Sequence, residues 1–280
     1  MLYTYSKDLR SAPLTIVVPV LNEAATLASR LLELQPLRAR GVRVVVADGG
    51  STDGTLVLAR QYADLALVTQ RGRGAQMNAG AAAGLAPSPS GGRLGWGPAA
   101  QHAGALPSAA TDLKEPLLPT PTPATADTLL FLHADTTLPE HADRYIQQAL
   151  QGSAVWGRFD VHIDSPRPVF RVIERLMNLR SRWSGVATGD QALFVRRTAF
   201  EAVGGFEDIA LMEDIALSRA LLRLSRPACL RQHVTTSARR WEQHGVWRTV
   251  LLMWQLRAAY FFGADPARLA RQYGYRPRER

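Results

Sequence analysis

Cysteine is nearly absent from this 280-residue chain: Cys229 stands alone, which excludes an intramolecular disulfide. Lysine is almost as scarce. Lys7 and Lys114 are the only two, so arginine carries the formal net charge of +9. Long apolar runs are missing as well, since the stretch Thr249 to Leu256 is bounded by Arg248 and Arg257 and is far shorter than the roughly 20 residues a membrane span requires. The first residues hold Lys7, Asp8 and Arg10 where a secretory leader would have its apolar core. These absences lead us to expect a cytoplasmic protein with no bilayer-crossing segment and at most peripheral membrane contact.

At 46% hydrophobic residues, the chain is long and apolar enough to bury a full core. Guanidinium forks match phosphate geometry, so an arginine-based charge predicts anionic partners. Net charge alone does not choose among nucleic acid, an acidic membrane face and a phosphorylated small molecule.

The apolar pattern predicts an α/β fold. Short β-branched runs at Leu14 to Leu21 and Val42 to Ala47 read as buried parallel strands, each followed by a polar loop and a helix, the second helix spanning Thr55 to Tyr62. Further strands are expected at Ala66 to Thr69 and Thr128 to Leu132, with an Ala/Gly-rich helix over Ala75 to Gly84 between them. Such alternation implies crossovers and a parallel sheet with helices on both faces. Eight of the 17 prolines fall between Leu85 and Ala126, a stretch without apolar periodicity that reads as a disordered insertion. Beyond Asp164 the pattern is mostly helical, with a strand at Ala192 to Val195 and a long helix from Gly245 to Phe262. The expected division is one domain with a nucleotide-binding half over about 12–140, an acceptor half over about 150–245 and that C-terminal helix.

Ligands of open parallel sheets bind beyond the C-terminal strand ends. Polar residues gather there after each of the first four strands: Asn22 and Glu23, Asp48 and Asp53, Arg71 and Arg73, His133 and Asp135. Asp48-Gly-Gly-Ser-Thr-Asp-Gly read by itself is either a capped turn or a ligand loop. Met212-Glu213-Asp214 opens a helix whose apolar positions Ile215, Leu217, Ala220, Leu221 and Leu224 mark a buried face, and acidic residues at a helix start are also ordinary dipole partners.

Taken with Val17-Val-Pro-Val-Leu-Asn-Glu, the Asp48 loop resembles the nucleotide-binding half of family 2 glycosyltransferases, which have the GT-A fold. The resemblance implies that Pro19, Leu21, Asn22, Glu23, Asp48, Arg73, Gln76, His133 and Ala134 contact a UDP-sugar. His133-Ala134-Asp135 stands where that family has its Asp-x-Asp motif, so Asp135 is the expected ligand of a divalent metal, Mg2+ or Mn2+. His133 replaces the commoner carboxylate. By the same resemblance Glu213 and Asp214 belong to the catalytic motif, with Asp214 as general base, and Gly189, Asp190 and Gln191 form the acceptor-binding turn. Ser237-Ala-Arg-Arg-Trp241 falls where many members carry a Gln-x-x-Arg-Trp element, which implies that Arg239 and Arg240 stabilise the leaving diphosphate and that Trp241 packs or meets the acceptor.

The spellings His-Ala-Asp-Thr-Thr-Leu-Pro at 133–139, Gly-Arg-Phe-Asp at 157–160 and Thr-Thr-Ser-Ala-Arg-Arg-Trp-Glu at 235–242 are similar to a bacterial subgroup of radical-SAM/selenodomain-associated, or arsenosugar-type, transferases that includes selenosugar synthases. The resemblance implies transfer from UDP-N-acetylglucosamine or UDP-glucose to selenophosphate, as in selenoneine biosynthesis. An acceptor of this kind calls for arginines, and Arg158, Arg180, Arg182 and Arg196 are the candidates in the acceptor half. Hydroxyl or arsenic acceptors, a nucleotidyltransferase, and a basic protein docking on membrane or nucleic acid stay open as alternatives; nucleic acid is not the expected partner.

Overall fold

The computed structural model describes residues 14–84 and 128–275, so the proline-rich insertion at 85–126 lies outside the described residues. In chain order the elements are β1 (Leu14–Val20), α1 (Ala24–Glu33), α2 (Gln35–Ala39), β2 (Arg43–Asp48), α3 (Thr55–Tyr62), β3 (Leu65–Val68), α4 (Arg73–Ala83) and β4 (Thr128–Phe131). There follow β5 (Thr136–Thr137), α5 (Ala142–Ala149), β6 (Trp156–Asp164), α6 (Pro168–Ser184), a 3-10 turn (Gly189–Gln191), β7 (Phe194–Arg196) and α7 (Arg197–Ala202). The chain ends with α8 (Glu213–Leu221), β8 (Ala228–Ser237), α9 (Arg239–His244), α10 (Val246–Phe261) and α11 (Pro266–Gln272).

The strands form one sheet in the order β3-β2-β1-β4-β7-β6-β8-β5. Pairs β1–β2, β1–β4, β2–β3 and β6–β8 are parallel, and β7 is antiparallel to both β4 and β6. Every residue of β1 is buried, as expected of a strand covered on both faces. Its side chains alternate between two cores. Ile16, Val18 and Val20 pack with Leu27, Leu31 and Ala59 of the helices on one face, while Val17 packs with Met77, Ala81 and Phe131 on the other. Helix α4 approaches so closely that a Cβ at Gly80 would lie 2.4 Å from Val17 Cγ1, which explains the Ala/Gly composition of that helix.

The second half differs from the sequence pattern. Beyond Asp164 the chain is mostly helical, as the pattern predicts, but Ala228–Ser237 is an unexpected ten-residue strand, β8, paired along β6 with a register shift after Phe159. Its polar residues hide the period-two signal. β6 likewise buries Arg158 and Asp160, which neutralise each other inside the sheet. The strand expected at Ala192 to Val195 is shifted to Phe194–Arg196, since Thr188 and Gln191 form a capping box that keeps Gly189–Gln191 in a turn. In α8, Leu224 lies beyond the helix end and is 48% exposed, whereas Ala216 and Ser218 join Leu217 and Leu221 in the buried face.

No helix among the described residues is long and apolar enough to cross a membrane. The exposed face of α10 does carry Trp247, Leu251 and Trp254, and α6 exposes Leu176, Leu179 and Trp183.

One ion pair ties the two ends of the sheet's loop layer across a large sequence separation. Arg40, at the end of α2, donates to Asp143 of α5 at 2.8 and 2.9 Å and to the Glu140 carbonyl at 2.7 Å. Burial works against the Asp143 charge, but the bonds from Arg40 outweigh it and hold the carboxyl below its ordinary value of 3.8. A depressed folded value stabilises the fold above the unfolded value and loses that contribution as pH falls through the folded one. Asp143→Asn is expected to cost about 1 kcal/mol in urea denaturation at pH 7. The gap from wild type should close as pH falls through the lowered folded value.

Candidate functional site

Because β1, β2 and β4 run parallel, the loops that follow them leave the same edge of the sheet. The amide of Gln76 locks two of these strand ends together, donating to the carbonyls of Val20 and Ala47 at 2.8 Å each. Gln76 is 4% exposed and spends its donors in this way, so it positions the rim instead of meeting a ligand. Pro19 is also buried within β1. The next residues are exposed to different degrees, Asn22 fully and Leu21 and Glu23 partly.

Hydrogen bonds zip the first two loops together. Asn22, at φ 55°, donates from its backbone to Ser51 Oγ at 2.9 Å and accepts from the Thr52 N–H at 2.9 Å. Glu23 N–H donates to Thr55 Oγ1 at 2.8 Å, and Ala24 N–H to Asp53 at 3.1 Å. Asp48 at the end of β2 is 1% exposed. Its Oδ1 accepts from Gly50 N–H, Ser51 N–H and Ser51 Oγ at 2.8 to 2.9 Å, while Oδ2 is buried with no partner among the described residues. An unmet carboxylate oxygen at a strand end is an acceptor awaiting a donor.

Burial pushes the Glu23 carboxyl above its ordinary value, Arg239 opposes the shift, and Asp135 and Asp53 add to it. The carboxylates of Glu23 and Asp135 and the guanidinium of Arg239 therefore share one region, although they come from three separate segments. Asp135 is only partly buried. Arg239 is exposed and borders an open cleft of about 460 Å³ with Asp164, Ser237, Glu242 and Gln243. The side chain of Arg240 lies outside the described residues.

A second constellation joins the end of β4 to the 3-10 turn and the start of α8. His133 Nδ1 lies 3.4 Å from Asp190 of the 3-10 turn. Burial alone would lower the His133 pKa, but Asp190 outweighs it and raises it; in return His133 overcomes the burial of Asp190 and holds that carboxyl low. The Gly189 N–H donates to Asp214 Oδ2 at 2.8 Å, and Asp214 Oδ1 accepts from Ile215 N–H at 2.7 Å. Glu213 is buried, and burial pushes its carboxyl up against the pull of Arg73, whose Nε lies 3.5 Å away. Arg73 also donates to the Tyr275 hydroxyl and stacks 5.2 Å from that ring's centroid. Burial opposes its charge, yet Glu213, Tyr275 and Asp214 outweigh burial and keep its pKa raised. Arg73 thus faces Glu213 and Tyr275 in the second half of the chain. Ala134, between His133 and Asp135, is buried.

Five expected acceptor contacts have other partners. Arg158 is fully buried and paired with Asp160, which Arg182 also clamps, so neither guanidinium is free for a ligand. Gln191 is fully buried in the capping box. Trp241 packs edge-on against Phe170 at 6.3 Å between ring centroids. Arg196 donates to the Leu150 carbonyl. Conversely, Arg257 and Tyr273 line a small cavity with His133, Asp190 and Asp214, and both were missed. Arg257 had one signal, being the residue that ends an apolar run; Tyr273 had none.

Residues 15–85 match the family model described as Glycosyl transferase family 2. Over 59 residues, 21% of this chain, the sequence is 48% identical to the succinoglycan biosynthesis protein ExoA of Rhizobium meliloti (strain 1021), and the matched stretch is 18% of that protein. The fold resembles the mannosyltransferase PcManGT of Pyrobaculum calidifontis, solved with GDP-Man and Mn2+, at TM-score 0.55 and 15% identity, covering 92% of this chain and 66% of that one. It also resembles glucosyl-3-phosphoglycerate synthase of Mycobacterium tuberculosis, solved with Mg2+ and UDP, at TM-score 0.50 and 15% identity, covering 80% and 70%. The mixed α/β sheet flanked by helices is thus that of the GT-A glycosyltransferases, and the family match falls on the loops that hold Asn22, Glu23 and Asp48.

Gly189 packs directly against the end of β4, because a Cβ there would lie 2.3 Å from His133 Nε2. Gly189→Ala is expected to displace the imidazole and destabilise the fold by roughly 1–3 kcal/mol. Thermal denaturation checks this, and an unchanged melting temperature would contradict the contact.

Proposed function

We propose that this protein is a glycosyltransferase that moves a sugar from a UDP-sugar, UDP-N-acetylglucosamine or UDP-glucose, to a small anionic acceptor, with selenophosphate as the preferred one. The observation that carries the reading is the convergence of the strand-end residues with Asp214 through the Gly189 and Asp190 turn. The strand-end His133 and the candidate base Asp214 are both held by the same Gly189–Gln191 turn. The fold and the match over residues 15–85 support the class, and the UDP-bound neighbour makes this donor the natural one to test.

In this reading Asp48 Oδ2 accepts from the base or ribose, and the loop Leu21–Glu23 borders the nucleotide. Among the described residues no group of three or more His, Cys, Asp and Glu could hold a metal. A hard divalent ion still fits, because Asp135 offers an oxygen ligand beside Glu23 and a diphosphate supplies further oxygens. Mg2+ or Mn2+, when bound, neutralises diphosphate charge. Arg239 lies where its guanidinium offsets charge on the departing UDP, an effect that is larger in the transition state than before it. The acceptor selenium or oxygen forms a bond to the anomeric carbon while the bond to the UDP oxygen breaks and UDP leaves with the electron pair. Where the acceptor is a hydroxyl, Asp214 takes its proton through a carboxylate that still has lone pairs beyond its two backbone bonds. A nucleophile that is already anionic needs no such transfer.

Product mass after incubation with UDP-sugar, a divalent metal and selenophosphate generated in situ tests the reading. The selenium-linked sugar phosphate formed in the transfer, or the selenosugar left when water cleaves its Se–P bond and releases phosphate, should appear together with UDP and be lost in Asp135→Ala. Asp214→Asn should then reduce turnover far less than the roughly 10²–10⁴-fold expected for general-base catalysis. Binding of UDP-sugar with no selenosugar formed would leave the transferase reading and remove selenium from it.

The exposed Trp247, Leu251 and Trp254 on a chain of formal charge +9 favour, as an accompaniment, peripheral docking on an anionic lipid surface. Co-sedimentation with anionic vesicles should fall in Trp247→Ala/Trp254→Ala; equal binding to neutral vesicles would contradict the electrostatic part.

A further inference from the structure

Most arginines in the interior of the acceptor half are engaged. Arg158 and Arg182 share Asp160, and Arg182 and Arg196 each reach a backbone carbonyl. Two others differ. Arg180, on the last turns of α6, has Nε and Nη2 buried without a hydrogen-bond partner, and Arg257, on α10, has a buried Nε in the same condition. No ion pair to either side chain is found among the described residues.

The two guanidiniums lie within reach of each other's field. Burial first, then Arg257 and Arg158, push the Arg180 pKa down to about 10, with Asp214 acting in the opposite sense. Arg257 lines a cavity of about 60 Å³ together with His133, Gly189, Asp190, Glu213 and Asp214. The carboxylates there have other partners, since Asp190 pairs with His133 and Asp214 accepts from two backbone N–H groups. Two like charges in one region with buried donor nitrogens unpaired are unfavourable unless an anion is held between them. Guanidinium forks supply parallel donors that match a tetrahedral oxyanion.

We propose that Arg180 and Arg257 together form an anion subsite that grips the oxyanion head of the acceptor beside Asp214. That an oxyanion binds follows from the two unpartnered arginines; that it belongs to the acceptor rests on the function proposed above. The subsite selects acceptors by charge, so a compound offering the same nucleophile without a phosphate-like group binds weakly. It also holds the nucleophile near Asp214 and away from the Asp48 and Asp135 rim that takes the donor.

Orthophosphate is the probe, titrated calorimetrically into the full chain and into Arg180→Gln, Arg257→Gln and the control Arg196→Gln, with UDP titrated in parallel. Saturable phosphate binding should weaken at least about tenfold in Arg180→Gln and Arg257→Gln. UDP affinity should stay within about twofold, and Arg196→Gln should leave both unchanged. Phosphate affinity equal to wild type in the Gln variants, or no saturable binding to wild type, overturns the subsite. An equal loss of UDP and phosphate also overturns it, because the arginines would then hold the donor diphosphate. Should Arg180→Gln fail to fold, Arg257→Gln at the cavity wall decides alone. Failure of wild type to bind UDP would remove the transferase reading, while the phosphate titration still judges the anion site.

Discussion

The parallel pairing of β1 with β2 and β4 is the constraint on which the rest depends. Parallel neighbours must be joined by crossovers, so all three strands release their loops at one edge, and that edge becomes polar. The two carbonyls taken by Gln76 show how exact this alignment is, since one side-chain amide bridges Val20 and Ala47 only if both strands end level. The close approach of Gly80 to Val17 serves the same end by seating α4 deep on the sheet and bringing Gln76 within reach.

Charge is managed in the opposite way in the two halves. In the first half, burial raises Glu23 and the nearby carboxylates of Asp135 and Asp53 add to the shift, a field suited to a cation. In the second half arginines enter the interior, where Asp160 pairs with two of them and backbone carbonyls accept from others. Between the halves stand His133, Asp190, Gly189 and Asp214, a chain of contacts that couples the end of β4 to the start of α8.

Much of the first half was legible because its signals are local. Helix α3 matches its expected span Thr55–Tyr62, and the unbroken apolar runs around Val17 and Val45 marked buried strands within a residue or two of their ends. The second half hid its strands. β6 and β8 carry Arg158, Asp160, Gln232 and His233, and a charged residue gives no strand signal until its partner on another segment is known. The acceptor arginines were misjudged for the same reason: Arg158 and Arg180 look alike in a string of letters, yet one is paired with Asp160 and the other has no partner.

By itself the sequence determined the alternation of strand and helix, the polar residues at each strand end, the glycine-rich loop after β2 and the reliance on arginine for positive charge. All of these depend on neighbours within a few positions. Only the tertiary structure decided which of those polar groups are spent on one another: Gln76 and Gln191 inside, Arg73 turned toward Glu213, Asp48 Oδ2 left open, Arg180 and Arg257 left without partners. Hydrogen bonding and ion pairing join groups that lie far apart in the chain, and their geometry exists only once the fold has brought them together.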